Sequence, residues 1–180
     1  YLFPMFKALA FAGLIFVSGP YFGPSDEMFE ELKNAPTEEE ATSVALDIWA
    51  AWLESGSAAA DLVMERAVTA QSQGELELAR ELYDRVISIQ PDYAEAYNRR
   101  ASVFLLNDQY DEALRDVNEA LRLEPRHFGA WMGLARVLEA LGAKDEALEA
   151  YREALNIHPT LGPAKAAEAR LRKEQIGQGL

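Results

Sequence analysis

The chain contains no cysteine. That absence removes disulfides, thiol nucleophiles, iron–sulfur ligation and thiolate zinc sites together, and with them a lipoprotein-type anchor. Histidine is nearly absent too, with His127 and His158 the only two among 180 residues. Basic residues are in short supply: 17 Lys and Arg stand against 30 Asp and Glu, a net charge of −13. Nucleic acid and anionic lipid are bound through a surplus of Lys and Arg, so neither is an expected partner. No G-x-S-x-G, P-loop, dinucleotide fingerprint or H-E-x-x-H is present. The two histidines lie 31 residues apart near turns with no third ligand in view; metal sites need three or four, so they read as solvated turn residues. The many carboxylates fall on outer faces and first helical turns, where they solubilise. The expectation is a protein without catalytic residues, metal or cofactor.

Long apolar runs are likewise missing, except at the start. Residues 1–25 carry one charge, Lys7, followed by ten apolar residues from Ala8 to Val17. A basic residue ahead of a 7–15-residue apolar stretch is the pattern of a secretory signal; a membrane span needs about 20 residues. No A-x-A occurs, and Gly23-x-Ser25 offers small residues for cleavage after Ser25. Met5-Phe6-Lys7 reads as the natural start. Residues 1–25 are therefore expected to be a signal peptide or, if uncleaved, an N-terminal anchor. Twelve arginines against five lysines, with abundant alanine, suit a GC-rich bacterium. The expected location is the periplasm, or alternatively the inner membrane through a retained N-terminus.

The remainder has an ordinary globular composition, 49% hydrophobic and 26% charged, and a fixed period. Pro91, Pro125 and Pro159 are spaced by 34 residues, and so are Ala79, Ala113 and Ala147 and Ala67, Ala101 and Ala135. Tyr83, Val117 and Tyr151 form a bulky column, and Ile89, Leu123 and Ile157 an aliphatic one. In the last unit Trp131, Leu134, Ala135 and Leu138 share one helical face. Gly142 stops that helix as a C-terminal glycine does. A second helix places Ala147, Leu148, Tyr151, Ala154 and Leu155 on one face and ends before Pro159. Each unit is a helical hairpin that cannot bury its face alone, and stacking makes the core.

A 34-residue hairpin with small residues at positions 8 and 20, an aromatic near 24, Ala near 27 and Pro at 32 resembles the tetratricopeptide repeat. The resemblance covers repeats 60–93, 94–127 and 128–161 and implies an all-α, right-handed α-solenoid. Position 15 drifts, being Gly74, Asp108 and Gly142 in turn. The whole chain resembles small exported proteins of this family from proteobacteria. The family resemblance further implies a concave groove lined by positions 2, 5, 9 and 12. These are Asp61, Met64, Val68 and Gln71 in the first repeat, and Glu95, Asn98, Ser102 and Leu105 in the second. Gly129, Met132, Arg136 and Glu139 follow in the third. Some members hold a chaperone's C-terminal carboxylates with a Lys–Asn–Asn–Lys–Arg clamp. Here Met64, Val68, Arg99 and Met132 replace the first four and only Arg136 matches, so that function is not expected.

The flanks fit a solenoid with covered ends. Thr37-x-x-Glu40 is a capping box opening a helix to about Glu54, with Trp49 and Trp52 as core anchors. Residues 26–59 read as N-terminal helices, a degenerate half-repeat covering the first repeat. Residues 162–180 read as a capping helix and tail, with Ala164, Ala167 and Leu171 turned inward. Charge is graded: 26–60 hold nine acids and one lysine, 126–159 five acids and four bases, and 160–180 two acids and four bases. The expected function is a non-enzymatic interaction module that binds a peptide segment or partner protein in the groove. The alternative is a membrane-tethered scaffold of a bacterial envelope complex.

Overall fold

The computed structural model describes residues 23–178; the apolar stretch read as an export signal lies outside them. Among the described residues there are nine helices and no strand. They are α1 (Asp26–Asn34), α2 (Glu38–Trp52), α3 (Ala58–Ser72), α4 (Leu76–Ile89), α5 (Ala94–Leu106), α6 (Tyr110–Leu123), α7 (Phe128–Ala140), α8 (Lys144–Ile157) and α9 (Gly162–Gln178). Three hairpins, α3–α4, α5–α6 and α7–α8, stack through α4 on α5 and α6 on α7, and α9 packs on α8. The architecture is the all-α solenoid that the 34-residue period predicts.

The period recurs atom by atom. Gly74, Asp108 and Gly142 each turn the chain at positive φ, +78°, +56° and +79°. After each, the next N–H returns to a carbonyl five residues back, Glu75 to Ala70, Gln109 to Phe104 and Ala143 to Leu138, all at 2.9 Å. This is the helix-terminating geometry that a left-handed residue permits. The alanine columns let helices approach: Ala67, Ala79, Ala113, Ala120, Ala135, Ala147 and Ala154 are all fully buried. Two tyrosines close the repeats from inside. Tyr83 donates to Gln71 and Tyr151 donates to Glu139, each across 12 residues at 2.6 Å. Two first-helix aromatics tie back to the preceding turn, Tyr97 to the Pro91 carbonyl and Trp131 to that of Pro125.

One polar network pins the middle of the stack. Arg100 on α5 donates twice to Asp116 on α6 and once to Asp84 on α4, each bond 2.7 Å. Burial raises the Asp116 carboxyl above its ordinary range despite Arg100. The C-terminal cap is held by Lys144–Glu174, Arg152–Glu168 and Arg170–Glu139 ion pairs, with Ala164 and Leu171 buried beneath.

The N-terminal hairpin departs from expectation. Thr37 does cap α2, accepting from the Glu40 N–H at 3.1 Å, and Trp52 is buried. Yet α2 does not extend the stack from the first repeat. Phe29, Leu32, Ala41, Ala45, Ile48 and Trp52 form a cluster with Phe128 of α7, flanked by Ile157 and Leu161. The hairpin thus crosses to the third repeat. The reason lies in shape: α7 carries Gly129, whose missing side chain leaves room for the Trp49 ring. A Cβ there would stand 2.4 Å from Trp49 Cη2.

Candidate functional site

The first helices of the repeats, α3, α5 and α7, face one another across a cavity of about 370 Å³, closed on one side by α2 and at one end by the α8–α9 turn. Gln71, Glu95, Asn98, Ser102, Leu105, Gly129, Met132 and Arg136 line it, so these predicted positions converge on one space. Arg99, Phe128, Gly133 and Val137 join them from the same helices, and Trp49, Leu161 and Pro163 come from elsewhere.

Four predicted groove residues do other work. Met64 is 2% exposed and belongs to the apolar cluster of the first hairpin. Its position points into the α3–α4 interface, and this corrects the groove assignment. Val68 packs on the same cluster. Asp61 accepts from the Ser55 N–H and hydroxyl at 2.9 and 2.6 Å, fastening the α2–α3 connection. Glu139 is spent on Tyr151 and Arg170.

Glu95 borders the cavity but is not a free anion. It is 1% exposed and accepts from Arg99 at 2.6 Å and Asn98 at 2.8 Å, while His127 Nε2 lies 2.9 Å away. Burial alone would raise its pKa, but these partners hold it below the ordinary carboxylate value. Asn98 and Arg99 are thereby fixed at the cavity wall rather than left to search. Arg136 differs. It is exposed at the rim and has no ion pair or hydrogen bond among the described residues.

The sequence misplaces His127. It is fully buried, not solvated. Its Nδ1 accepts from the Ala130 N–H at 3.1 Å and so caps α7. In the neutral ring that leaves the proton on Nε2, aimed at Glu95. Its ring lies flat on Trp52, and Trp49 meets it edge-on. His158 is also buried, against the Phe128 ring. The 34-residue column holding His127 carries Tyr93 and Leu161 on either side, an apolar column that signals burial. Among the described residues, no group of three or more His, Asp or Glu is placed to hold a metal ion.

The tetratricopeptide repeat profile matches residues 98–166, and a second profile of the same repeat matches 72–108. A TPR repeat-containing protein of Rhizobium etli is 36% identical over 134 residues, covering 74% of this chain and 66% of that protein. The chain belongs to the tetratricopeptide repeat family. Small glutamine-rich tetratricopeptide repeat-containing protein 2 of Saccharomyces cerevisiae is 31% identical over 119 residues, 66% of this chain and 34% of that one. The chain thus spans two thirds or less of these curated relatives. Among solved structures, the Arabidopsis OM64 TPR domain superposes with a TM-score of 0.62 at 28% identity, covering 64% of this chain and 95% of that domain. The first TPR of Spaghetti (RPAP3), bound to the HSP90 peptide SRMEEVD, superposes at 0.63 with 20% identity and matching coverage of 65% and 93%. At that identity the likeness is one of fold. Among the described residues of this tetratricopeptide repeat chain, Arg136 is the cation lining the cavity that has no ion pair or hydrogen bond, with Met64 buried and Arg99 bound to Glu95.

Proposed function

We propose that the chain is a non-catalytic interaction module that holds a peptide segment or a partner protein against the concave face of its solenoid. The observation that carries this reading is the convergence of three successive first helices on one open cavity. There, fixed polar groups (Asn98, Arg99, Gln71) alternate with Leu105, Met132 and Val137. Apolar surface supplies the drive, and a few oriented polar groups read an extended backbone or side chain. Methionine adapts to varied shapes. The Lys-poor clamp positions argue against a chaperone tail as the ligand.

The test places a photo-crosslinking amino acid at Ser102 or Leu105 in the cavity, or at exposed Leu78 on α4 as control. A shared partner peptide captured from the two cavity sites and not from Leu78, and lost on Met132→Ala/Arg136→Ala, supports the groove. Equal capture from Leu78 refutes it. We further propose export, on the Lys7-led apolar stretch; a periplasmic reporter fused after residue 30 reports on it directly. Should residues 5–20 be retained in a membrane fraction, the tethered envelope scaffold becomes the better reading.

A further inference from the structure

The α1–α2 hairpin sits where a partner would. It is joined to α3 by only the 53–57 connector, in which Gly56 adopts φ +79°. Its apolar contacts are nevertheless made with Phe128, Ile157 and Leu161, three repeats downstream. A terminal cap stacks on its sequence neighbour, as α9 does on α8; this hairpin passes over its neighbour and lodges on the concave side.

The seat has a definite chemistry. Trp52 stacks on His127 at 3.8 Å between ring centroids, and Trp49 fills the space over Gly129. The two tryptophans are three residues apart and present one face of α2, the spacing by which helices anchor in grooves. At the edge, Arg126 lies over the Phe29 ring at 4.1 Å and pairs with Asp26, while Lys165 pairs with Glu38. Residues 26–52 hold eight acids and one lysine, whereas the stretch 126–165 they lie against balances five acids with five bases. The fit is incomplete. Trp52 Nε1 is buried with no hydrogen-bond partner among the described residues, and the cavity remains open beside Trp49. A buried donor left unmet weakens a contact; the other such donor among the described residues is the Tyr93 hydroxyl in the first repeat.

We infer that the α1–α2 hairpin is a tethered ligand of the third repeat. The groove's external partner then presents the same kind of segment: an acidic amphipathic helix with aromatic residues one turn apart, which competes with the hairpin for this seat. The inference rests on the groove reading and adds the partner's class and a gate. An internal occupant lowers the apparent affinity for any competitor in proportion to the time it holds the seat.

The test uses the full chain and a fluorescein-labelled peptide of residues 36–54 as the probe, read by anisotropy. Trp49→Ala/Trp52→Ala loosens the tethered hairpin and leaves the seat intact. Asp26→Lys/Glu38→Lys loosens it by charge alone, without opening a cavity. The peptide is expected to bind the tryptophan variant at least about tenfold more tightly than wild type, and the charge variant several-fold more tightly. The same peptide with both tryptophans replaced by alanine is expected not to bind. Circular dichroism confirms that the solenoid is folded; if the tryptophan variant is not, the charge variant decides. Equal affinity for wild type and the charge variant, or no binding by any folded variant, overturns the inference. A partner crosslinked at Ser102 equally in wild type and the charge variant would keep the groove and remove the gate; absence of any partner removes the groove itself.

Discussion

Trp52 lies flat on His127, the two ring centroids 3.8 Å apart and the planes within 4°. This contact joins the N-terminal hairpin to the start of α7. Beneath it, the same imidazole caps α7 and faces the buried Glu95. One side chain therefore couples helix initiation, a buried carboxylate and the docking of α2.

His127→Ala removes all three roles. Loss of a helix cap costs about 1 kcal/mol, and a buried carboxylate deprived of a donor costs about 1–3 kcal/mol more. We expect about 2–4 kcal/mol of destabilisation by urea unfolding. His127→Asn, which restores the cap, is expected to recover about 1 kcal/mol of that. Equal losses in the two variants would show that capping contributes nothing here.

Gly129→Ala separates the hairpin from the solenoid. Alanine inside α7 favours that helix by about 1 kcal/mol, yet its methyl would stand 2.4 Å from Trp49. The solenoid is expected to stay folded while α2 shifts. Amide exchange reports this: protection falls within 26–52 and is kept in 60–161. Unchanged protection throughout would mean that Trp49 swings aside at no cost.

These two sites mark what the sequence discloses. The repeats are legible because proline, alanine and bulky columns recur at 34 and because each helix has one apolar face. The tyrosine ties are legible in hindsight, since Tyr83 and Gln71 share the 12-residue step of Tyr151 and Glu139. The hairpin's seat is not. Phe29, Trp49 and Trp52 announce a face that needs burial, but periodicity does not say which surface receives it. The signal was Gly129 within a helix, where a missing side chain marks a close approach. Met64 was misplaced because a repeat register assigns faces from an ideal hairpin, and α3 turns that residue into the α4 contact.

The Arg100 network predicts a sharp contrast between two arginines. Arg100→Ala leaves Asp116, nearly buried, without its bidentate partner, and breaking such a pair costs about 3 kcal/mol or more. Arg122→Ala removes an exposed pair with Glu119 on one helix, worth less than about 1 kcal/mol. A double variant Arg100→Ala/Asp116→Ala is expected to recover part of the loss, because no charge is then stranded. Thermal unfolding of the three proteins checks this.

Asp108 stands in a glycine's place. Its φ of +56° matches the turns made by Gly74 and Gly142, a region that costs a non-glycine residue roughly 1 kcal/mol. Against this, Asp108 accepts one exposed hydrogen bond from Tyr110. Asp108→Gly is expected to stabilise by about 0.5 kcal/mol or more, and Gly142→Ala to destabilise by about 1 kcal/mol. A lower melting temperature for Asp108→Gly would assign the larger share to the Tyr110 bond.

Stability should fall on mild acidification, and His158 sets the first step. Burial, helped by the charge of Lys165, holds its pKa below the ordinary 6.5. The unfolded chain takes up the proton first, so this contribution is complete above pH 6.5 and is lost as pH falls below it. Glu95 adds a second step: its folded pKa lies below the ordinary 4.5, so its contribution is lost as pH falls below that value. Asp116, raised by burial, works in the opposite sense in the carboxylate range and partly offsets Glu95. Melting temperatures at pH 8, 7, 6 and 5 are expected to decline from 7 to 5 in wild type and to decline less in His158→Leu, which keeps the apolar contact with Phe128 and removes the proton site. Parallel declines in both proteins would show that His158 does not set this step.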